Sequence, residues 1–239
     1  MNNCSAELNK TYFNSDNTAE KYDDHPLHAE MAKRIGHAIV DAYPFDDETT
    51  TILDYACGTG LNSRQLAPHA KLIVGVDISQ GMVDTYNQKI SNQGIPFDEM
   101  RAVCLELKGE EGELDGMKFD VVQCCMSYHH FSSESLLPIT SMLAFFLKEG
   151  GCLFVADVQS TPEREDIFGD GLCSSSVVTQ KTGFSEEEMF ELFTQAGLGS
   201  FRFERITRAR KNGRSVNIFL AQGLKSLAGV GPSKSVHLE

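Results

Sequence analysis

The chain has 239 residues, 41% hydrophobic and 23% charged, so it can bury a sizeable core as one domain and is neither disordered nor fibrous. Lys plus Arg number 21 against 34 Asp plus Glu, a formal net charge of −13, and so acidic a chain lacks the basic face that nucleic acid requires. No run approaches the roughly 18 to 20 apolar residues of a bilayer span, the N-terminus MNNCSAELNK has no apolar signal core, and several of the seven cysteines, an odd number, sit inside apolar runs where they read as small buried hydrophobes, as fits a reducing cytoplasm.

In chain order, residues 1–21 form a polar head, expected to be mobile. Leu27, Met31, Ile35, Ala38, Ile39 and Ala42 then recur at spacings of three and four behind Pro26, which predicts an amphipathic helix over Asp24 to Tyr43. Five short apolar runs follow, Thr50 to Ala56, Lys71 to Ile78, Met100 to Glu106, Phe119 to Met126 and Gly151 to Val158. Their continuous hydrophobicity suits strands covered on both faces. Helical stretches over Leu61 to Ala67, Ser79 to Ser91 and Ser133 to Lys148 separate them, so strand and helix alternate and a parallel sheet with right-handed crossovers is predicted.

The last third changes character. Ser185 with Glu188 forms a capping box ahead of the apolar face Met189, Phe190, Leu192, Phe193 and Ala196, and Gly197 ends that helix. Phe201 to Thr207 and Ser215 to Ala221, separated by Lys211-Asn212-Gly213, then read as an antiparallel hairpin. The predicted fold is therefore α/β, a Rossmann-like, mostly parallel sheet of seven strands with a C-terminal antiparallel hairpin and helices on both faces. Residues 22–223 form its single domain. Residues 160–183, of mixed polarity, are expected to form a substrate-side insertion or lid, and residues 224–239, rich in Gly, Ser and Lys, a flexible tail.

Ligands of open parallel sheets bind beyond the carboxyl ends of the strands, so the residues just after each run matter most. After the first comes Asp54-Tyr55-Ala56-Cys57-Gly58-Thr59-Gly60, a glycine turn into a helix, and the second ends in Asp77, suited to a ribose diol. A dinucleotide fingerprint would continue to a third Gly or Ala, whereas Ser63 stands there and Asp54 puts negative charge where a pyrophosphate would lie. Two carboxylates and a helix N-terminus suit a cofactor that carries a ribose and an amino acid, as S-adenosyl-L-methionine does. No metal centre is expected from Cys124, Cys125, His129 and His130, because adjacent strand residues point to opposite faces.

Leu53 to Gly60 (LDYACGTG), Val74 to Ser79 (VGVDIS), Phe119 to His130 (FDVVQCCMSYHH) and Leu147 to Val158 (LKEGGCLFVADV) resemble the successive motifs of class I S-adenosylmethionine-dependent methyltransferases. The segment Tyr22-Asp23-Asp24-His25-Pro26 is similar to the subgroup acting on small molecules, whose N-terminal segment closes over the cofactor. The resemblance implies Asp54, Gly58 and Gly60 around the methionine moiety, Asp77 on the ribose hydroxyls and Ile78 and Met82 flanking the adenine. It further implies Glu106 and Leu107 at the adenine edge, with Glu106 replacing the commoner aspartate. Cys124 and Met126 would form the floor under the sulfonium, with Tyr22 over it. Methyl transfer is an in-line displacement leaving S-adenosyl-L-homocysteine, and His129 or His130 is the candidate base where the acceptor must lose a proton. The expectation is a methyltransferase for a small-molecule acceptor, without nucleic acid or membrane as partner. The alternatives are a catalytically idle S-adenosylmethionine-binding regulatory or scaffolding subunit and, disfavoured by Ser63 and Asp54, an NAD-dependent oxidoreductase.

Overall fold

The computed structural model describes residues 4–15, 18–163, 165–168, 177–211 and 214–226. Three helices open it: α1 (Cys4–Phe13), α2 (Thr18–Asp23) and α3 (Pro26–Ala42). The stretch read from sequence only as a polar head thus carries two helices. In the third, Pro26 occupies the first turn and the His25 side chain accepts the Leu27 N–H, the local reason that the helix begins there.

Alternation then proceeds through β1 (Thr51–Tyr55), α4 (Ser63–Leu66), β2 (Leu72–Asp77), α5 (Gln80–Asn92), β3 (Met100–Cys104), β4 (Phe119–Cys125), α6 (Ser133–Phe146), β5 (Leu147–Val158), α7 (Glu186–Gln195), β6 (Leu198–Lys211) and β7 (Arg214–Lys225). The seven strands form one sheet in the order β3-β2-β1-β4-β5-β7-β6. The first five in that order are parallel, and β7 runs antiparallel to both β5 and β6. The fold is thus the one predicted. Several boundaries differ: the strand predicted from Gly151 begins at Leu147, cutting the preceding helix at Phe146, the helix predicted to Ala67 gives way to a 3-10 turn at Ala67–His69, around Pro68, and the hairpin strands predicted over Phe201 to Thr207 and Ser215 to Ala221 extend over Leu198–Lys211 and Arg214–Lys225. The turn residues Asn212 and Gly213, residues 169–176 of the expected lid and residues 227–239 of the expected tail lie outside the described residues.

The reason for the unbroken hydrophobicity of the strands is plain in the packing. Successive residues feed opposite cores: Ile52, Ile73, Val121 and Phe154 pack with Ile35, Ile39, Val83 and Tyr86 of α3 and α5, while Leu53, Val74, Val122 and Val155 pack with Leu143 and Phe146 of α6 and Met189 and Phe193 of α7. Sheet order reverses between β1 and β4, because β2 and β3 are laid down on one side of β1 and β4 and β5 on the other.

Burial of an acid in this frame has a measurable consequence. Asp54 on β1 is 2% exposed and accepts the Ser63 hydroxyl at 2.5 Å. Burial pushes its carboxyl up to about 7, a rise only partly offset by the Ser63 hydrogen bond. Since the folded value lies above the unfolded one, near 3.9, Asp54 contributes stability fully at about pH 4 and loses it as pH rises through about 7. Denaturant unfolding of the protein and of Asp54→Asn between about pH 4 and pH 8 should show the native chain losing stability relative to the variant. A difference constant with pH would give Asp54 an ordinary ionisation. The capping box at Ser185 and Glu188 is formed in both directions, and Ser185→Ala should lower the unfolding free energy by about 1 kcal/mol in the same assay.

Candidate functional site

Where the sheet order reverses, the carboxyl ends of all five parallel strands open into a cavity of about 820 Å³. Tyr55 at the end of β1 and Ala56 after it, Asp77 and Ile78 at the end of β2, Glu106 and Leu107 beyond β3, Met126 and Ser127 beyond β4, and Val158 of β5 all line it. Helices complete the enclosure. Ala6, Asn9 and Phe13 of α1, Tyr22 of α2 and Leu27, His28 and Met31 of α3 close one side.

The turn after β1 is shaped by backbone conformation. Gly58 has φ +52° and Gly60 φ +83°; a Cβ on Gly60 would sit 2.6 Å from the Tyr86 ring, whereas one on Gly58 would meet nothing within 4 Å. Gly58 lines the cavity, and a side chain there would project into open space. Ala56 and Met126, with φ of +56° and +55°, hold the same left-handed conformation without being glycine. For Met126 the cost is offset by its N–H bond to the Ala156 carbonyl at 2.7 Å.

Asp77 ties this turn to the next element. Its Oδ2 accepts the Gly58 N–H at 2.8 Å and its Oδ1 the Ser79 N–H at 2.9 Å, while burial raises its pKa against these two bonds. Ser79 caps α5, and its hydroxyl lies 2.9 Å from Asn14 Oδ1, which also accepts the Gly81 N–H. Asp23 bonds the Thr59 hydroxyl and pairs with Lys89. The N-terminal helices are therefore fastened to both the glycine turn and α5.

The paired histidines sit on a 3-10 turn, Tyr128–His130, directly after β4. Both are buried and both line the cavity. His129 Nδ1 lies 2.9 and 3.0 Å from the two oxygens of Asp157, and its backbone N–H donates to the same carboxylate. Its ring stacks on Phe168 with centroids 4.5 Å apart. His130 Nδ1 lies 2.8 Å from the Val177 carbonyl, and its ring meets Phe13 edge-on. The main chain of the following segment is fastened here too, since Thr179 and Gln180 N–H both donate to the His129 carbonyl.

Of the site residues expected from sequence, Tyr22, Gly58, Asp77, Ile78, Met82, Glu106, Leu107, Met126, His129 and His130 line the one cavity. Asp54, Gly60 and Cys124 do not; Asp54 is turned to Ser63, Gly60 packs on Tyr86, and Cys124 is buried in the α6 side of the core. Tyr22 stacks on His28, with ring centroids 4.2 Å apart. Sequence reasoning missed Asn9 and Phe13, whose helix carries little amphipathic signal. It also missed the place of Asp157, although an acid closing an apolar run marks it just as it marks Asp77. Among the described residues no group of three or more His, Cys, Asp or Glu could hold a metal ion, and no helix is long and apolar enough to cross a membrane.

Comparison with known proteins agrees with this geometry. Residues 52–151 match the family model described as a methyltransferase domain. An uncharacterized methyltransferase of Schizosaccharomyces pombe is 38% identical over 169 residues, 68% of this chain and 57% of that protein. The chain spans about half the length of the curated relatives it matches. Among solved structures, magnesium protoporphyrin IX methyltransferase of Synechocystis PCC 6803 with bound S-adenosylhomocysteine superposes with a TM-score of 0.67 at 20% identity, over 92% of this chain and 99% of that one. Geranyl diphosphate C-methyltransferase of Streptomyces coelicolor A3(2) gives 0.65 at 14%, over 93% and 98%. By its matched domain and its fold together, residues 52–151 are a methyltransferase domain, and the chain around them has the fold of S-adenosylmethionine-dependent methyltransferases.

Proposed function

We propose that this protein transfers a methyl group from S-adenosyl-L-methionine to a small molecule held in the same cavity, releasing S-adenosyl-L-homocysteine. The observation that carries the reading is Asp77, a carboxylate in the cavity wall pinned by two backbone N–H groups next to an open glycine turn. Each of its oxygens accepts one N–H and keeps a further lone pair, the arrangement a ribose diol needs. Ile78 and Met82 offer apolar surface beside it for a flat base, with Glu106 and Leu107 at the far edge.

Charge supports the same cofactor. Among the described residues the Asp, Glu, Lys and Arg side chains that line the cavity are Asp77, Glu106 and Glu134, all acidic, which favours a sulfonium and an ammonium and disfavours the pyrophosphate of a dinucleotide. Asp54 acts from behind the wall, adding negative potential when it ionises and shaping the turn through Ser63. Gly60 serves by packing closely on Tyr86, and Cys124 by filling the core on the α6 side of the sheet. When bound, the sulfonium supplies an electrophilic methyl group. The chain's own part is to hold an acceptor in line with it and to exclude water, for which Phe13 and Tyr22 form the cover.

A small-molecule acceptor fits a cavity of this volume, partly covered by the N-terminal helices. The solved neighbours named above act on magnesium protoporphyrin IX and geranyl diphosphate, both small molecules. His129 and His130 are the groups that take the acceptor's proton where it has one to lose.

Calorimetry and thermal unfolding with S-adenosylmethionine, S-adenosylhomocysteine and NAD in parallel test the proposal. At about 100 times its dissociation constant either adenosyl compound should stabilise the fold by about 2.7 kcal/mol, and NAD should leave it unchanged. A response to NAD alone, or to none of the three, overturns it. Asp77→Ala should weaken S-adenosylhomocysteine binding by about 2 kcal/mol, roughly thirtyfold, through loss of charge-assisted hydrogen bonds. Unchanged affinity would remove Asp77 from the ribose.

A further inference from the structure

The strand β6 carries five basic residues, Arg202, Arg205, Arg208, Arg210 and Lys211, against one acid, Glu204, in a chain whose formal net charge is −13. From Arg205 to Lys225 the sequence has no Asp or Glu. β6 is also the last strand of the sheet, so one row of its backbone N–H and C=O groups is turned away from β7. The opposite edge is closed by a side chain: the Asn87 amide of α5 donates to the Ala102 carbonyl of β3 and accepts the Ala102 N–H, each at 2.9 Å.

A bulge brings two of the arginines together. Arg205 stands opposite Phe219 of β7 and Thr207 opposite Ile218, so Ile206 is an extra residue in β6, and Arg208 then falls opposite Asn217. Phe219 and Asn217 are two apart on β7 and project to one face, and residues directly opposite in an antiparallel pair share a face. Arg205 and Arg208 are therefore same-face neighbours about 7 Å apart. Three apart in a regular strand, they would point to opposite faces. Both are exposed, and neither forms an ion pair among the described residues. Holding two guanidinium groups side by side costs Coulomb energy, and the residues opposite them, Phe219 and Asn217, bring no charge to offset it. Arg202 differs: the groove it lines with Arg34 also carries Asp41 and Glu204, and Arg34 pairs with Glu30 at 2.7 Å.

We propose that β6 is a docking edge for an acidic segment of a partner protein, added to the sheet as an extended strand whose alternate side chains are acids set against Arg205 and Arg208. Alternate residues of such a strand recur at about 7 Å, the spacing that the bulge gives the two arginines. Main-chain hydrogen bonds to the outward row of β6 supply affinity, and the arginines select the partner. A second copy of this chain does not fit, since β6 against β6 sets basic residues against basic residues. Nucleic acid fits less well than a short acidic strand: a polyanion is repelled by the chain's net charge along its whole length, whereas the strand meets only the local charge of β6. Next along the ladder, Ala209 stands opposite Val216, and both line the cavity, so a segment docked on Arg205 and Arg208 lies at its rim. The docking edge is independent of the reaction carried out inside.

The test uses the full chain and the synthetic peptides ETETETE, EEEETTT and KTKTKTK, the first two equal in charge and different in spacing. Calorimetric titration should show ETETETE binding at least about tenfold more tightly than EEEETTT, and KTKTKTK giving no saturable binding. Bulk attraction to so acidic a chain would favour KTKTKTK, so the order of the peptides separates docking from net charge. Arg205→Ser combined with Arg208→Ser should weaken ETETETE at least about tenfold, while Arg205→Lys combined with Arg208→Lys should keep most of the affinity. Arg101→Ser, the same loss of charge on β3, should leave it unchanged, and thermal unfolding checks that each variant keeps the fold. Equal binding of the two acidic peptides, binding of neither, full affinity in the double serine variant, or an oligouridylate of the same length binding more tightly than ETETETE overturns the proposal.

Discussion

The site depends on one carboxylate. Asp77, at the end of β2, accepts N–H groups from the turn after β1 and from the start of α5, so the glycine turn, the second strand and the following helix are held to one another by two hydrogen bonds. Neither N–H has a place in the sheet ladder, and a buried N–H left unpaired costs about 1 to 3 kcal/mol. The acid that suits a ribose is therefore also the acid that holds the turn open, and the raised pKa imposed by burial is the cost of keeping it there.

A second acid, Asp157, has the corresponding place on the other side of the sheet reversal. It stands one residue before the end of β5, as Asp77 stands at the end of β2, it is buried, and it too accepts backbone N–H groups, here from His129 and Val158. Asp77 lines the cavity from β2, while Asp157 lies buried behind its wall on β5, with the reversal between β1 and β4 between them. Parallel strands bring this about, since all their carboxyl ends emerge on one edge and side chains far apart in sequence meet there. Apolar residues carried by α3, β6 and β7 extend the cavity past the second acid, so one enclosure has an acidic end and an apolar end.

The N-terminal helices turn this edge into an enclosure. Asn14 bonds Ser79 and Gly81 at the start of α5, Asp23 bonds Thr59 and pairs with Lys89, and Phe13 packs on His130. These are polar attachments at the rim around an aromatic contact at the centre. Such attachments hold a cover through few apolar contacts, the pattern of elements that open at low free-energy cost.

The alternation of strand and helix, the capping box at Ser185, the hairpin at the C-terminus and the ends of the strands were legible in the sequence, because each is set by local periodicity, capping chemistry or a turn. Gly58 and Asp77 were legible for the same reason, as residues ending a strand run. What tertiary structure alone decided was which polar atoms meet. Asp54 resembles Asp77 in sequence, yet the pleat turns it inward to Ser63 and away from the cavity wall. His129 and His130 are neighbours in the chain, yet only His129 meets a carboxylate, because β4 and β5 are paired in the register Cys125 to Ala156 and so bring Asp157 alongside it. The first two helices, weak in amphipathic signal, become cover only because α5 and the glycine turn present polar partners to them. The sequence by itself determined the elements and the line of strand ends where chemistry can occur; strand register and long-range packing, which no local pattern encodes, decided which side chains face one another across that line.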